Sequence, residues 1–566
     1  MRPLVATSRH IRWLAVVGAA FGAGVAFVSP VMAQSRAERA GRFLEAHHEL
    51  GLFNGAALVV DGGEVLFRGA FGFAVLDGEP NKVSTRFRIA SITKQFTAAV
   101  VMRLAEKGQI RLDAPVREYI PEYPAPQGDV ITIHHLLTHT SGIPSYTWED
   151  PLEFEPGTEF AYDNTGYVLL GWIIERVTGQ PYEEALAELV LSPLGLEETG
   201  YDHATVPLAG HAVGYTRTLV GYEDATFIDP SLPFAAGMLY STVDDLHRWA
   251  RALVGWDEGP FEDPASAELM MTPNLDGYGY GLGISFRSIG REDSVRVVQH
   301  SGGIFGFATI LRVFPDDGRM IILLDNTSSS LDPVVEGLTN LLWGAEARLP
   351  KPSIAERLLP IVESAGPAPA IERYRLWKRT RPDQYEYGPG ELMRLAVHFN
   401  DAGDREIAAA ILEAQAEDFP DVPMTRFALS ELYVELGDTA RAISHLETAL
   451  QSNPGQPNLL EAILALGVEP PGALRTPVRR MAPEALVPFV GSYEVDPSTT
   501  LDIELGDDGL TARRTGETAF RLLPQAESTF LLEGSAIQFV FQLDGDTVTS
   551  VSVLESGQRV RFPRRR

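Results

Sequence analysis

Cysteine is absent from this sequence of 566 residues. A chain without cysteine has no disulfide, no thiolate metal ligand and no cysteine nucleophile. If the protein is exported, its fold therefore depends on its noncovalent core alone.

Positive charge is also scarce. The chain has 47 Lys and Arg residues against 76 Asp and Glu residues, and its formal net charge is −29 at pH 7. An acidic protein repels phosphate backbones, so a nucleic acid is a poor candidate partner. We attribute the excess negative charge to solubility, and it indicates little about the substrate.

The apolar run nearest to membrane-spanning length lies close to the N-terminus. Three arginines within the first twelve residues precede an apolar run from Trp13 to Val28, and Val31-Met32-Ala33 is a small-residue cleavage pattern. These features predict a cleaved secretory signal at residues 1–33. An uncleaved anchor is the alternative, but a bilayer needs roughly 20 apolar residues. We expect a periplasmic or secreted protein with no stable membrane span after cleavage.

The chain is too long for one core, because single hydrophobic cores stop growing at roughly 250–300 residues. Residues 38–350 have strand-like runs at both ends and a mostly helical middle. This pattern predicts an α/β domain with one antiparallel sheet, built from both ends of the region and flanked by a helical subdomain. The strand-like runs are Ala56–Val60, Val65–Ala74, Val295–Gln299, Phe307–Phe314 and Met320–Leu324, and a helix is expected near Val334–Trp343.

A linker rich in proline and arginine is expected at residues 351–384, before a region with an internal repeat. In residues 385–470 the pair Gly403-Asp404 recurs 34 positions later as Gly437-Asp438. The period resembles that of the tetratricopeptide repeat, a helical hairpin. Two units are fewer than the usual three, so they are expected to lean on a neighbour. A structural spacer is the favoured interpretation, and a groove for a protein partner is the alternative.

Residues 484–566 show short alternating apolar runs separated by polar and glycine turns. This pattern predicts a small antiparallel β-barrel or sandwich. Its opening, Val487–Tyr493, resembles a lipocalin-like module, which implies no chemistry of its own.

The first motif that carries chemistry is Ser91 with Lys94, at the start of a helix predicted over Gln95–Lys107. Residues three apart share one face of a helix, so the lysine lies near the serine. A lysine whose pKa is lowered by burial or by a nearby cation can take the serine proton. The helix N-terminus adds backbone N–H groups and partial positive charge for an oxyanion. Alone, such a pair is more often a surface serine or a helix cap.

Two further motifs follow along the chain. Tyr162 offers a phenol that can relay a proton, and Asn164 offers an amide that can bind substrate and brace the lysine. His300-Ser301-Gly302 ends a predicted strand, where polar side chains can hold a carboxylate or carbonyl and glycine admits a substrate backbone. Alone, the tyrosine motif is better explained by a turn with one buried aromatic side chain, and the alternative for the glycine motif is an ordinary glycine turn.

In this order and spacing the three motifs resemble the Ser-x-x-Lys, Tyr-x-Asn and Lys/His-Ser/Thr-Gly motifs of the serine β-lactamase and penicillin-binding-protein family. That family includes class C β-lactamases, D,D-carboxypeptidases and β-lactamase-fold esterases. The resemblance covers about residues 40–345. It extends to flanking segments, namely Phe87–Ala90, Gly108–Asp113, Leu136–Gly142, Pro193–Leu196 and Ala236–Met238.

The resemblance implies roles for the motif residues. Ser91 would form the acyl-enzyme, and Lys94 and Tyr162 would share the general-base and general-acid work, with the acceptor of the first proton left open. The backbone N–H groups of Ser91 and Gly303 would form the oxyanion hole. No metal and no cofactor are implied. The implied substrate-binding residues are Asn164, His300, Ser301 and Gly302.

Two positions depart from the commonest family pattern. Many β-lactamases have lysine where this chain has His300, and histidine is largely neutral above its reference pKa of about 6.5. Efficient antibiotic hydrolysis is therefore not expected. Asp163 replaces the serine found in many relatives, and a charge there can alter the protons shared in the site.

Three histidines close together in the sequence, His134, His135 and His139, form a candidate metal site. His135 and His139 have the i, i+4 spacing of zinc ligands on one helix face. However, Thr138–Gly142 has the character of a loop, and the zincin glutamate is missing. A zinc site is therefore not predicted here.

The resemblance implies a serine hydrolase of peptidase, carboxypeptidase or esterase type. It would act through an acyl-enzyme on a small ester or amide, such as a D-amino-acid peptide or ester. A β-lactamase is one alternative. The other is a slowly deacylating penicillin-binding or receptor protein without turnover. The expected partner is a small-molecule or peptide substrate.

Overall fold

The computed structural model describes residues 35–144, 152–203, 209–289, 292–453, 457–467, 481–496, 499–506, 509–515, 519–524, 528–532, 537–544, 547–555 and 558–565. The signal predicted at residues 1–33 lies outside this range. Within it, no helix is both long and apolar enough to cross a membrane.

The first part of the chain contains a set of helices and strands that alternate irregularly. Its helices are α1 Arg36–Glu49, α2 Thr93–Glu106, α3 Val116–Tyr119, α4 Gln127–Val130, α5 Ile133–Leu137, α6 Thr165–Thr178, α7 Tyr182–Leu186, α8 Ser192–Leu194, α9 Phe234–Gly237, α10 Val243–Leu253, α11 Pro264–Met270 and α12 Asp332–Leu342. Its strands are β1 Gly55–Asp61, β2 Glu64–Ala70, β3 Phe87–Arg88, β4 Gly200–Tyr201, β5 Tyr215–Arg217, β6 Tyr222–Asp224, β7 Leu239–Ser241, β8 Gly283–Ile289, β9 Glu292–Ile304, β10 Phe307–Phe314 and β11 Arg319–Asp325.

The main sheet of this part has six strands in the order β2-β1-β11-β10-β9-β8. All of its neighbouring pairs are antiparallel, and β1 from the start of the region pairs with β11 from its end. The prediction of one antiparallel sheet built from both ends is therefore confirmed.

Both faces of the sheet are covered, because alternate side chains of a strand point to opposite faces. Leu58 and Val60 of β1 join the larger core, which includes α2 and α6. Val59 joins a second core on the opposite face, with side chains of α1 and α12. This arrangement explains why β1 is almost entirely apolar. It also gives α2, which follows the candidate nucleophile, a rigid support on the sheet.

The second part of the chain is helical, as predicted. Its helices are α13 Ile354–Ala365, α14 Pro367–Thr380, α15 Pro389–Asp401, α16 Arg405–Asp418, α17 Pro423–Glu435, α18 Thr439–Ser452, α19 Pro457–Ala465 and α20 Pro483–Leu486. The pair α15 and α16 recurs 34 positions later as α17 and α18. The predicted linker differs from expectation, because it contains α13 and α14. Both pack into one core with the repeat helices, since Leu358 and Tyr374 are buried there.

The third part is an eight-stranded antiparallel sheet that curls into a nearly closed barrel. Its strands are β12 Gly491–Asp496, β13 Thr499–Gly506, β14 Gly509–Arg514, β15 Phe520–Pro524, β16 Thr529–Leu532, β17 Gln538–Asp544, β18 Thr547–Glu555 and β19 Gln558–Pro563. The first and last strands meet, because the backbone N–H of Arg565 donates to the Ser492 carbonyl at 2.8 Å. The interior is filled by aromatic side chains such as Phe530 and Phe541. The predicted small β-barrel is confirmed.

Candidate active site

Ser91 lies in a single 3₁₀ turn, Ala90–Ile92, that leads directly into α2. Ala90 has φ +47°, a left-handed conformation that non-glycine residues rarely adopt. The turn is held on the sheet by Thr309 of β10, whose hydroxyl donates to the Ile89 carbonyl at 3.0 Å. Ser91 itself is half-buried, so its hydroxyl is both supported and accessible.

Lys94 lies one helical turn beyond Ser91 and is completely buried. Its Nζ lies 3.2 Å from Ser91 Oγ, 2.8 Å from Asn164 Oδ1 and 2.8 Å from the Ala236 carbonyl oxygen. Burial lowers the pKa of Lys94 to about 7, and the charge of Asp163 opposes this by raising it. The amine is therefore poised to exist in both protonation states near neutral pH.

The second motif lies in the loop before α6 and ends at Asn164, the residue immediately before that helix. Asp163 is buried, and its carboxylate accepts the backbone N–H groups of Thr165 at 2.8 Å and Gly166 at 2.7 Å. Burial raises the pKa of this carboxyl, while those two hydrogen bonds and Lys94 lower it. Asp163 thus fixes the N-terminus of α6 next to Asn164, the residue that holds Lys94.

Tyr162 lies on the open side of the site. Its side chain is 42% exposed, and Lys94 Nζ lies 4.9 Å from the centre of its ring. The imidazole of His139 also packs against this ring, with a centroid separation of 4.3 Å. The phenol therefore borders both the buried amine and the solvent from which a substrate arrives.

His300 is engaged at both ring nitrogens. Nδ1 lies 2.5 Å from the Ser301 carbonyl oxygen, and Nε2 lies 2.9 Å from the Tyr278 hydroxyl. A carbonyl only accepts, so Nδ1 carries the hydrogen and Nε2 accepts from the tyrosine. Burial, and then the charge of Lys94, lower the pKa of His300 to about 4. At neutral pH this position therefore provides a neutral imidazole.

The end of β9 forms an open edge beside the nucleophile. Strand β8 pairs with β9 only as far as Gln299, whereas β10 continues to pair through Ile304. Gly302 packs tightly on the nucleophile turn, because a Cβ there would lie 2.3 Å from the Ile89 carbonyl oxygen. A Cβ on Gly303 would meet no atom within 4 Å, so Gly303 faces open space. Ser301 is exposed along the same edge.

The three histidines of the candidate metal site have different hydrogen-bond partners. His134 Nδ1 lies 2.8 Å from the Tyr280 hydroxyl, and His135 Nδ1 accepts the Thr132 backbone N–H at 3.2 Å. Helix α5 ends at Leu137, so His139 is outside it. Across the described ranges, no three acidic, histidine or cysteine side chains are grouped as metal ligands.

Two residues of the site, Ala236 and Tyr278, lie outside the three sequence motifs. The carbonyl of Ala236 acts through the backbone, so its side chain gives no hint of it. Tyr278 precedes His300 by 22 residues and lies outside the motifs, so its contact with the imidazole is not indicated by sequence. The segment Ala236–Met238 resembles the corresponding segment of the family, and this resemblance is the one sequence signal for the contact.

Known proteins resemble this chain over the region that contains the candidate site. The sequence model described as Beta-lactamase matches residues 38–342, more than half of the chain. A penicillin-binding protein of Bacillus subtilis (strain 168) is 28% identical over 366 residues, covering 56% of this chain and 79% of the relative. Esterase EstB of Burkholderia gladioli is 28% identical over 357 residues, covering 50% and 89%. The structure of a D-stereospecific amidohydrolase from Streptomyces sp. has a TM-score of 0.45 and 27% identity, covering 53% and 97%.

Proposed function

We propose that this chain, which belongs to the beta-lactamase family, hydrolyses small esters or amides whose leaving group carries no carboxylate. The chain is a serine hydrolase that acts through an acyl-enzyme. The observation that carries the proposed substrate class is the neutral His300, whose two ring nitrogens are already hydrogen-bonded.

We assign the first proton transfer to Lys94. Asn164 Oδ1 and the Ala236 carbonyl can only accept hydrogen bonds, so a neutral amine donates its two hydrogens to them. Its lone pair then faces Ser91 Oγ at 3.2 Å and can take the hydroxyl proton. The pKa of about 7 makes this neutral form abundant at physiological pH.

In acylation, Ser91 Oγ forms a bond to the substrate carbonyl carbon as its proton passes to Lys94 Nζ. The carbonyl oxygen becomes an oxyanion, which we place on the backbone N–H groups of Ser91 and Gly303. The bond to the leaving group then breaks, and Tyr162 delivers a proton to the departing oxygen or nitrogen and is reprotonated from Lys94. Water cleaves the acyl-enzyme by the same path in reverse, which restores the serine hydroxyl.

We propose that β9 binds the substrate through its backbone edge and the exposed Ser301 hydroxyl. A carboxylate on the leaving group would need a cation or several donors to replace its hydration. His300 supplies neither, because Nδ1–H is bound to the Ser301 carbonyl and Nε2 is an acceptor. Its role would be to shape this wall of the cleft together with Gly302. Esterase EstB, by its name an esterase, is a relative that fits this substrate class.

We further propose that the protein is exported and has one catalytic unit with two accessory parts. We place the catalytic unit at residues 38–350, with the helical segment 385–470 and the barrel 484–566 as accessory parts. The signal pattern at residues 1–33 supports an exported, periplasmic or secreted enzyme. The 34-residue period supports a tetratricopeptide-like helical segment with a structural role or a protein partner, and the opening of the barrel supports a lipocalin-like module.

Labelling by a fluorescent fluorophosphonate, in wild type and Ser91→Ala, tests the nucleophile. Wild type should be labelled and Ser91→Ala should not, with hydrolysis of p-nitrophenyl butyrate falling at least about 1,000-fold. No labelling and no turnover by folded wild-type protein would contradict the mechanism. Labelling by a fluorescent penicillin without turnover of any substrate would instead identify a slowly deacylating receptor.

A matched substrate pair tests the substrate class. N-acetyl-D-alanyl-D-alanine and its C-terminal amide differ only in the terminal carboxylate, and we expect kcat/KM to favour the amide by about 10-fold or more. A chromogenic cephalosporin, which carries a carboxylate, should be a poor substrate. A preference for either carboxylate compound would overturn the proposed class while leaving the Ser91 mechanism intact.

A further inference from the structure

His139 lies at the centre of an aromatic cluster behind the catalytic tyrosine. The residue is buried and has φ +57°, in the left-handed region. Its imidazole centroid lies 4.3 Å from the ring of Tyr162, 4.7 Å from that of Tyr278 and 5.2 Å from that of Tyr167. A buried non-glycine residue in this strained conformation must be held by strong local contacts.

Two hydrogen bonds connect His139 to the residues on either side of Tyr162. The backbone N–H of Ala161 donates to the His139 carbonyl at 2.9 Å. The backbone N–H of Asp163 donates to His139 Nδ1 at 3.2 Å. Together with the ring contact, these bonds fix the backbone on both sides of Tyr162 and one face of its side chain.

The hydrogen bonding also defines the tautomer of His139. Because Nδ1 accepts an amide hydrogen, the neutral ring carries its own hydrogen on Nε2. Nε2 is buried, and no hydrogen-bond partner for it is found among the described residues. Burial, with the charges of Lys94 and His300, holds the pKa of His139 well below its usual range. The imidazole is therefore neutral and held in one orientation, and it is unsuited to carry protons itself.

We propose that His139 is a positioning residue that holds the Tyr162 phenol in place for proton transfer between Lys94 and the leaving group. This inference rests on the proposed role of Tyr162 and goes beyond it by adding a residue that touches no reacting atom. Misplacement of a proton-relaying group by about 1 Å costs on the order of 100-fold in rate. Loss of His139 should therefore lower kcat and leave KM almost unchanged.

Two variants avoid the confounding effect of backbone strain, because glycine and asparagine both tolerate a left-handed φ. His139→Gly removes the ring and the acceptor, whereas His139→Asn keeps a side-chain oxygen that can accept the Asp163 N–H. With p-nitrophenyl butyrate we expect kcat to fall about 100-fold for glycine and about 10-fold for asparagine. KM should change less than about 3-fold.

A double-mutant cycle with Tyr162→Phe separates positioning from general structural damage. If His139 acts through the tyrosine hydroxyl, either substitution should cost less than about 2-fold in kcat in the Tyr162→Phe background. Losses that multiply, or a fall in Tm with kcat retained, would overturn the proposal. If His139→Gly does not fold, the asparagine variant carries the same cycle.

Measurements on wild type and Ser91→Ala, made beside these variants, test the proposed function. They do so independently of the role of His139. If the wild-type enzyme is acylated by the fluorophosphonate but does not turn over esters, the acylation rate replaces kcat in the cycle. If wild type is neither acylated nor active, both the proposed function and the role of His139 fail.

Discussion

The carbonyl oxygen of Ala236 accepts a hydrogen bond from Lys94 Nζ at 2.8 Å. This contact joins α9 to a lysine on α2, and Asn164 provides the second fixed acceptor at the same distance. With two donor directions occupied, the remaining position on nitrogen faces Ser91. In the proposed mechanism, this backbone contact and the asparagine together direct the lone pair of the neutral amine towards the serine, which is why we assign Lys94 as the base.

The pH dependence of the reaction should reflect Lys94. Its pKa is lowered to about 7 by burial, and the base must be neutral to accept the serine proton. A base with a lowered pKa is protonated below that value, so kcat/KM should rise with pH through about 7 and then level off. A pH profile of ester hydrolysis measures this rise of kcat/KM, which is the acid limb of the profile. An acid limb near pH 4 or 5, with none near 7, would assign the first proton to another group.

Replacement of Asp163 should move that limb. The negative charge of Asp163 raises the pKa of Lys94, so Asp163→Asn should lower it and shift the acid limb to lower pH. The variant should also be less stable, because one carboxylate oxygen that caps α6 becomes a donor.

Asp245 provides a matched control for Asp163. It is buried at the start of α10 and accepts the Glu198 N–H at 2.8 Å and the Thr199 hydroxyl at 2.9 Å. Asp245→Asn should lower Tm without moving the acid limb. An equal shift of the limb in both variants would show that the effect is not specific to Asp163.

The two glycines at the end of β9 should respond very differently to alanine. Gly302→Ala places a Cβ 2.3 Å from the Ile89 carbonyl oxygen, so the nucleophile turn must move. We expect kcat/KM to fall about 100-fold and stability to fall by about 1–3 kcal/mol. Gly303→Ala meets no atom within 4 Å and should keep its stability within about 0.5 kcal/mol. Thermal melts and ester kinetics compare the two, and equal Tm losses would contradict the packing described for Gly302.

A cation in place of His300 should change substrate preference. His300→Lys breaks the Tyr278 hydrogen bond and adds a group that can bind a carboxylate. The ratio of kcat/KM for the amide over the acid form of N-acetyl-D-alanyl-D-alanine should fall by about 10-fold. His300→Gln removes the imidazole without adding charge and should leave the ratio nearly unchanged. A similar ratio in His300→Lys and wild type would show that this wall does not select by charge.

Much of the architecture was predictable because its signals are local. The apolar runs of β10 and β11 have the residue types of buried strands, and the 34-residue period is repeated in the helix bounds. The predicted linker was harder, because its proline and arginine content suggested a connection. Pro367 begins α14, where its missing N–H costs nothing, and Pro360 lies inside α13. Burial of Leu358 and Tyr374 in a shared core stabilises both helices.

The sequence by itself determined which side chains could carry chemistry, since serine, lysine, tyrosine and asparagine were identified by type and spacing. The tertiary structure decided the protonation and the hydrogen bonding of the side chains in the site. Burial and Asp163 set the pKa of Lys94, Ala236 and Asn164 orient its hydrogens, and Tyr278 holds His300 as an acceptor. Such states depend on desolvation and on contacts between residues far apart in the chain, which no local pattern records.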